Sequence, residues 1–228
     1  MLMNKMLNRT QMAYDRWSVT YDTEGNPQIL LEHDDVLALV NPRCGESILD
    51  AACGSGKYTV EFHNAGADVI GVDNSQGMLD RARHKYPQLT LQFADLSKNL
   101  HFGDFSFDKV NCAQALKHLP NLCASFIEIA RVMESGGAFI FSVTHPDMIW
   151  DDYEINDKIH VDLRAEADMY QHRFCDYFEA LEKAGFTLDR LVQIPVLDKI
   201  KHLLTPESYL RVKGRYQVLA IRAIKNRA

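Results

Sequence analysis

The chain has 228 residues, of which 46% are apolar and 25% are charged, and its formal net charge is −6. This length predicts one globular domain with a substantial core. The acidic balance argues against a nucleic-acid partner, because such partners require a basic surface. No apolar run approaches the roughly 20 residues of a membrane span, and residues 1–8 lack the pattern of a signal peptide. We therefore expect a cytoplasmic protein without a membrane span.

The five cysteines form no C-x-x-C pair. Cys53 and Cys112 lie in apolar runs that resemble strands, which predicts small buried side chains in a reducing compartment.

The first 46 residues predict two helices that precede the first strand. One covers residues 10–22 and the other covers residues 29–40. The first helix places three aromatic side chains on one face, namely Tyr14, Trp17 and Tyr21. We expect residues 1–46 to form a helical cap of the same domain, with Tyr14 and Tyr21 contacting the substrate. Packing of these rings on the core is the alternative.

A short stretch around Asp50 predicts a strand, a tight turn and a helix. An apolar run ends in Asp50, and a turn with Gly54 and Gly56 then opens a helix, as at the entry to a nucleotide-type site. The third glycine of a G-x-G-x-x-G fingerprint is absent, because Thr59 occupies that position. The charge of Asp50 would repel a pyrophosphate and attract an ammonium or a sulfonium.

Strands and helices then alternate as far as residue 144. The predicted strands cover residues 47–52, 68–73, 89–94, 107–114 and 138–144. The predicted helices between them cover residues 57–65, 75–86 and 122–134. Such alternation predicts a parallel sheet with helices on both faces.

The remainder of the chain departs from this rhythm. Residues 145–169 are polar and acidic, which predicts a lid-like insertion into the core domain of residues 47–228. An amphipathic helix follows, and residues 187–196 predict a sixth strand. Residues 199–210 predict a loop or a short helix. Residues 215–225 alternate enough to predict a last strand that is either an edge strand or antiparallel.

Three carboxylates stand at the carboxyl ends of predicted strands, where ligands of parallel sheets bind. Asp73 follows Gly56 by 17 residues, close to the separation at which an acid binds a ribose diol. Asp95 is placed to accept an adenine amino group, and Asp50 suits the ammonium of an amino acid. Adenosine joined to a cationic amino acid is S-adenosylmethionine. Solvated acids at strand ends are the alternative interpretation.

Five stretches in order resemble the motifs of class I S-adenosylmethionine-dependent methyltransferases. They cover residues 48–56, 69–73, 93–96, 107–119 and 131–137, with Ser135 where the family usually has proline. Residues 144–146, 172–173 and 180–186 resemble a small-molecule subgroup akin to quinone-biosynthesis methyltransferases. The chain is therefore expected to form a Rossmann-like α/β sheet of seven mostly parallel strands, with the last one antiparallel.

The resemblance implies which residues hold the cofactor S-adenosylmethionine. Asp50 would face the methionine ammonium directly or through water, Asp73 the ribose, and Asp95 the adenine amino group. The glycines would let the backbone approach the cofactor. The implied set is Asp50, Ala51, Gly54, Gly56, Asp73, Asn74, Met78, Asp95, Leu96 and Ala113.

Residues for catalysis and acceptor binding are less specific. His118 and His145 are catalytic candidates, because each follows a strand at the ligand edge and a protonated nucleophile needs a base. Backbone-bonded turn histidines are the alternative. His172 and Arg173 are candidates for substrate binding, although an ion pair between Arg173 and an acid would also explain that side chain. No histidines have the spacing of metal ligands, so no metal is expected.

The sequence therefore predicts methyl transfer to a small-molecule acceptor, with oxygen favoured over nitrogen and carbon. Three other functions fit the sequence less well. A nicotinamide-dependent oxidoreductase conflicts with Asp50 and the missing third glycine. A non-catalytic S-adenosylmethionine-binding protein is disfavoured by the intact set of three acids, and RNA methylation by the acidic balance. The oligomeric state is left open.

Overall fold

A computed structural model describes residues 9–24, 26–147 and 166–227. One sheet contains all seven strands: β1 (Ser47–Ala51), β2 (Asp68–Asp73), β3 (Thr90–Phe93), β4 (Phe107–Ala113), β5 (Met133–Thr144), β6 (Phe186–Pro195) and β7 (Tyr216–Lys225). Their order across the sheet is β3-β2-β1-β4-β5-β7-β6. The first five strands in that order are parallel, and β7 is antiparallel to both of its neighbours.

Helices cover both faces of this sheet. The described helices are α1 (Arg9–Trp17), α2 (Tyr21–Glu24), α3 (Pro27–Val40), α4 (Lys57–Asn64), α5 (Gln76–Lys85), α6 (Leu122–Val132), α7 (Phe174–Lys183) and α8 (Pro206–Val212), with 3₁₀ turns at Leu116–His118 and Asp198–Leu203. Along β5, Phe139 and Phe141 pack with α6 and α7, whereas Ala138 and Ile140 pack with α3 and α4. Successive strand residues face opposite sides, so the two hydrophobic clusters lie on the two faces of the sheet. The predicted seven-stranded, Rossmann-like α/β fold is confirmed.

Helix starts follow the capping residues of the sequence. The Asn26 side chain accepts hydrogen bonds from the N–H groups of Gln28 and Ile29, at 3.0 and 3.4 Å, so α3 begins at Pro27. The Ser75 hydroxyl caps α5 by accepting a hydrogen bond from the N–H of Met78 at 3.1 Å.

Residues 10–22 do not form the single helix that their periodicity predicts. The helix ends at Trp17, and a turn at residues 18–20 separates it from α2. The Ser18 hydroxyl donates to the carbonyl of Asp15 at 2.7 Å. Serine side chains that bond to nearby backbone in this way compete with helix continuation.

The last strand is antiparallel but is not an edge strand. β7 lies between β5 and β6, and its residues from Gln217 to Ile221 are all buried. The edge position belongs to β6, whose side chains are mostly exposed.

Strand β5 begins earlier than the sequence predicts. Its first residue is Met133 rather than residue 138, and its pairing with β4 has a register shift between Phe107 and Lys109.

The first three helices divide between two locations. Helix α3 packs directly on the sheet, and its side chains Leu31, Val36 and Val40 are fully buried in one of the two clusters. Helices α1 and α2 instead contribute residues above the carboxyl ends of the strands. Of the predicted lid at residues 145–169, residues 148–165 lie outside the described part of the chain.

Two further predictions concern the burial of two cysteines and the presence of membrane-spanning helices. Cys53 and Cys112 are buried, as predicted. None of the described helices is long and apolar enough to cross a membrane.

Gly71 on β2 marks a close approach between the sheet and the turn that follows β1. A β-carbon there would lie 2.7 Å from Leu91 Cδ2 and 3.0 Å from Cys53 Sγ. Gly71→Ala should therefore lower the free energy of unfolding by about 1–3 kcal/mol, measured by urea denaturation. Gly103→Ala is the matched control, because its β-carbon would contact only Ser106 Oγ, at 3.4 Å. An equal loss in both variants would contradict this packing.

Candidate functional site

A cavity of about 480 Å³ lies at the carboxyl ends of four neighbouring strands. Its floor is formed by residues at or just after the ends of β1, β2, β3 and β4, among them Gly54, Asp73, Asp95 and Ala113. This is where ligands bind in parallel α/β sheets. Residues of α1, α2 and the segment 168–170 complete the walls.

Asp73 is held at the end of β2 by two backbone donors. Its Oδ2 accepts from the N–H of Gly54 and its Oδ1 from the N–H of Ser75, both at 2.8 Å. Burial raises the pKa of Asp73 to about 6, although both hydrogen bonds act in the opposite direction. The carboxylate lines the cavity in a fixed orientation, with further lone pairs available to a ligand.

The two glycines of the turn have different roles. Gly54 has a φ of 54°, and a β-carbon there would have no neighbour within 4 Å, so its backbone faces open space in the cavity wall. Gly56 has a φ of 82°, and a β-carbon there would press on Ala82 and Tyr86 at 3.3 Å. Gly56 is absent from the cavity lining, and so is Ala51, which is fully buried in the core. Ala52 lines the cavity in its place.

Asp50 lies behind the turn rather than in the cavity wall. Its Oδ2 accepts from the Thr59 hydroxyl at 2.6 Å and its Oδ1 from the Asn111 amide at 2.8 Å. Burial raises the pKa of Asp50 to about 6 against these two donors. The residue in the position of the missing third glycine therefore has a structural role, because Thr59 hydrogen-bonds to Asp50. The structure does not bring Asp50 into the set of residues that line the cavity.

The part of the cavity beyond β3 is bounded by Asp95, Leu96, Asn74 and Met78. Burial alone would raise the pKa of Asp95, but hydrogen bonds from Lys98 and Ser97 outweigh it and hold the pKa below its usual value. The carboxylate is therefore charged, at a position where it can accept a hydrogen bond from a ligand.

His118 and Tyr14 meet on the opposite side of the cavity. His118 Nδ1 lies 2.7 Å from the carbonyl oxygen of Asp168, and its Nε2 lies 3.0 Å from the Tyr14 hydroxyl. A carbonyl can only accept, so Nδ1 carries the proton and Nε2 accepts from Tyr14. Burial lowers the pKa of His118 to about 4, which keeps the ring neutral at pH 7, and burial raises the pKa of Tyr14 well above its usual value.

Two carboxylates attach helices α1 and α2 to the turn after β1 and to α5. Asp15 accepts from the Ser75 hydroxyl at 2.6 Å and from the N–H of Gly77 at 2.9 Å, at the start of α5. Asp22 accepts from the Ser55 hydroxyl at 2.8 Å and from Arg81 at 2.5 Å. These bonds fix the wall that contains the predicted residues Tyr14 and Tyr21, both of which line the cavity.

The segment after the undescribed residues forms the other wall. The N–H of Tyr170 donates to the carbonyl of Lys117 at 2.7 Å, and the N–H of Asp168 donates to the Thr10 hydroxyl at 3.1 Å. Asp168 and Tyr170 line the cavity, and the sequence interpretation did not include them. They come from the predicted insertion and the residue just after it, where no motif identifies individual contacts.

Three of the residues predicted for catalysis or acceptor binding are also absent from the cavity lining: His145, His172 and Arg173. His145 accepts from the N–H of Asp147 at 3.3 Å, donates through Nε2 to Gln193 at 2.8 Å, and stacks on Tyr216. His172 donates to the carbonyl of Leu119 at 2.9 Å. Arg173 has a side chain that is 79% exposed and pairs with Asp176, the ion-pair alternative of the sequence interpretation.

A buried carboxylate beneath the cavity also escaped sequence reasoning. Glu32 on α3 is fully buried and accepts from the Tyr58 hydroxyl at 3.2 Å and from the Gln114 amide at 2.5 Å. Burial raises the pKa of Glu32 to about 7 against these donors. In the sequence, the burial of Glu32 is indicated only by its i, i+4 spacing from Val36, which is itself four residues before Val40. Within the described part of the chain, no group of acids, histidines or cysteines could hold a metal ion.

Comparison with known proteins agrees with this geometry. Residues 49–141 match the family model of the methyltransferase domain. An uncharacterized methyltransferase of Synechocystis sp. is 33% identical over 148 residues, which cover 64% of this chain and 69% of that relative. A demethylmenaquinone methyltransferase of Corynebacterium kroppenstedtii is 38% identical over 98 residues. That match covers 43% of this chain and 42% of the relative, so this chain spans less than half the length of the Corynebacterium relative.

Among solved structures, an S-adenosylmethionine-dependent methyltransferase of Mesorhizobium loti superimposes with a TM-score of 0.69 at 27% identity. The superposition covers 86% of this chain and 98% of the other. The residues present also fit the cofactor of that family, since an oriented carboxylate (Asp73) and an open backbone position (Gly54) face one cavity. The chain belongs to the class I S-adenosylmethionine-dependent methyltransferases.

Proposed function

We propose that this protein transfers the methyl group of S-adenosylmethionine to a hydroxyl oxygen of a small-molecule acceptor. The observation that carries the proposal is the pair formed by Tyr14 and the neutral His118 in the cavity wall, 3.0 Å apart. The residues expected to hold the cofactor lie toward β2 and β3, and this pair lies toward α1. The cavity therefore has a donor end and an acceptor end.

The donor end has a residue for each part of the adenosine group. Asp73 would accept hydrogen bonds from the ribose hydroxyls, Asp95 would accept from the adenine amino group, and Met78 would pack on the adenine. S-adenosylmethionine supplies an electrophilic methyl group on a sulfonium when it is bound. The chain contributes orientation and the exclusion of water, which account for much of the rate enhancement of such a transfer.

The acceptor end provides a route for the proton of the nucleophile. A hydroxyl must lose its proton as the carbon–oxygen bond forms and the carbon–sulfur bond breaks. Tyr14 would receive that proton as its own passes to Nε2 of His118, and the resulting imidazolium would remain bonded to the carbonyl of Asp168. The products are the methyl ether and neutral S-adenosylhomocysteine. A carboxylate acceptor would need no such route.

A phenolic or quinol acceptor is supported by two observations of different kinds. Tyr14, Tyr21 and Tyr170 surround the cavity with aromatic rings, which suit a planar ligand. The Corynebacterium relative is named a demethylmenaquinone methyltransferase, and a relative of Penicillium expansum is named an O-methyltransferase. Carbon methylation of a phenolic ring is the second candidate function, because it also begins with loss of the hydroxyl proton.

The product decides among these functions. The protein is incubated with cell extract and S-adenosylmethionine that carries a trideuteromethyl group, and labelled products are identified by mass spectrometry with fragmentation. Label on an oxygen of a small molecule supports the proposal, and label on carbon supports the second candidate. Binding of S-adenosylhomocysteine without any labelled product would indicate a non-catalytic protein. Binding of NAD(H) alone, measured by calorimetry, would indicate the oxidoreductase alternative.

Loss of the His118 ring should abolish most of the activity and leave the donor end intact. We expect His118→Ala to reduce the rate of labelled-product formation about 10²- to 10⁴-fold, since it removes the final proton acceptor. The dissociation constant of S-adenosylhomocysteine should stay within about twofold. The exposed His84→Ala is the matched control and should behave as wild type. A His118→Ala rate close to wild type would refute the proton route.

Binding of the ribose should depend on the charge of Asp73. Its pKa of about 6 in the free protein should fall on binding, because hydroxyl donors favour the carboxylate. The dissociation constant of 5′-methylthioadenosine should therefore rise as the pH falls below about 6, by up to about tenfold per pH unit. Calorimetry between about pH 5 and 7.5 measures this.

Asp73→Asn serves as the comparison for that titration. It should remove this pH dependence and weaken binding about tenfold or more at pH 7.5, because a hydrogen bond to a charged group is worth roughly 1.5–3 kcal/mol. A constant affinity of the wild-type protein across this range would show that Asp73 does not bind the ribose.

A further inference from the structure

Gln114 stands at the cavity wall with one half of its amide engaged. It follows β4 directly, lines the cavity, and is 6% exposed. Its backbone N–H donates to the carbonyl of Ser142 at 2.9 Å, so the residue is fixed against β5. Its Nε2 donates to Glu32 Oε2 at 2.5 Å.

The other half of the amide has no such bond. Gln114 Oε1 is buried and has no hydrogen-bond partner among the described residues. A buried carbonyl oxygen without a donor is unfavourable. The ionised Glu32 carboxylate can only accept, so in that form it requires the NH₂ side of the amide and leaves the oxygen as the free atom. The unsatisfied acceptor is therefore a consequence of the position of Glu32.

The order of strands indicates which group of the cofactor lies nearest to Gln114. This step rests on the proposed function, with adenine at the end of β3 and ribose at the end of β2. The next strand ends along the sheet are those of β1 and β4. The amino-acid part of the cofactor continues in that direction, toward Gly54 and Gln114. Its ammonium needs acceptors, and Asp50 does not line the cavity.

We propose that Gln114 Oε1 accepts a hydrogen bond from the methionine ammonium of the cofactor, and that Glu32 is the positioning residue that turns the amide. Above about pH 7, where Glu32 is ionised, its negative charge lies at the NH₂ side of the amide, opposite the free oxygen. It polarises the amide so that the oxygen becomes a better acceptor for a cation. Recognition of the ammonium thus depends on an acid that does not line the cavity.

A pair of ligands tests this inference without measuring activity. S-adenosylhomocysteine carries the ammonium, and 5′-methylthioadenosine keeps the adenosine but lacks the amino acid. We expect Gln114→Met to raise the dissociation constant of S-adenosylhomocysteine about tenfold or more in calorimetry. The dissociation constant of 5′-methylthioadenosine should stay within about twofold. A general disturbance of the pocket would weaken both ligands.

Glu32→Gln provides a second variant that keeps the size of the side chain and removes its charge and one of its two acceptor oxygens. It should weaken S-adenosylhomocysteine by about threefold to tenfold and leave 5′-methylthioadenosine unchanged, since the amide loses its charged partner. Tyr58→Phe is the matched control, because it removes another donor to Glu32 and leaves the bond to Gln114 in place. It should leave both dissociation constants within about twofold.

The outcomes separate this inference from the proposed function. Equal weakening of both ligands by Gln114→Met, or an unchanged affinity for S-adenosylhomocysteine, would overturn the role of Gln114. Selective weakening by Gln114→Met without any effect of Glu32→Gln would overturn the role of Glu32 alone. Failure of the wild-type protein to bind S-adenosylhomocysteine would instead refute the proposed function.

Discussion

Three carboxylates are buried at the carboxyl edge of the sheet, and the arrangement of the site depends on their need for hydrogen-bond donors. A buried charge is tolerated only where donors replace the lost water. Asp73 receives backbone N–H groups from the turn after β1 and from the start of α5. Asp50 is bonded by α4 and β4, and Glu32 joins α3 to α4 and to the residue after β4. Each carboxylate therefore ties together elements that form the floor of the cavity.

This concentration of negative charge determines which ligands the edge can accept. Burial raises the pKa of Asp50 and Asp73 to about 6 and that of Glu32 to about 7, because the loss of hydration outweighs the hydrogen bonds that each carboxylate accepts. A ligand that brings hydroxyl donors and a cation offsets this loss, whereas a pyrophosphate would add negative charge.

Sequence reasoning reaches the backbone and the strand-end acids but not the contacts between side chains. Strand and helix periods identify the parallel sheet, and Asp73 follows from its distance to the glycine turn. Asp50 is identified as important, but the direction of its side chain depends on Thr59 and Asn111, which only the packed structure brings to it. The bond between Gln114 and Glu32 joins residues 82 apart, and that between Tyr14 and His118 joins residues 104 apart. Such pairings depend on how α1 and α3 dock, and no local pattern encodes that.

Helix α1 connects the two ends of the cavity. One residue of this helix, Tyr14, reaches His118 at the acceptor end, and the next, Asp15, bonds to the start of α5 beside the donor end. Neighbouring residues on a helix point about 100° apart, so one short helix can contact both ends at once. A shift of α1 that broke the bonds of Asp15 would also move Tyr14 away from His118. The proposed proton route therefore requires that α1 be seated against α5, because the bonds of Asp15 hold the helix that carries Tyr14.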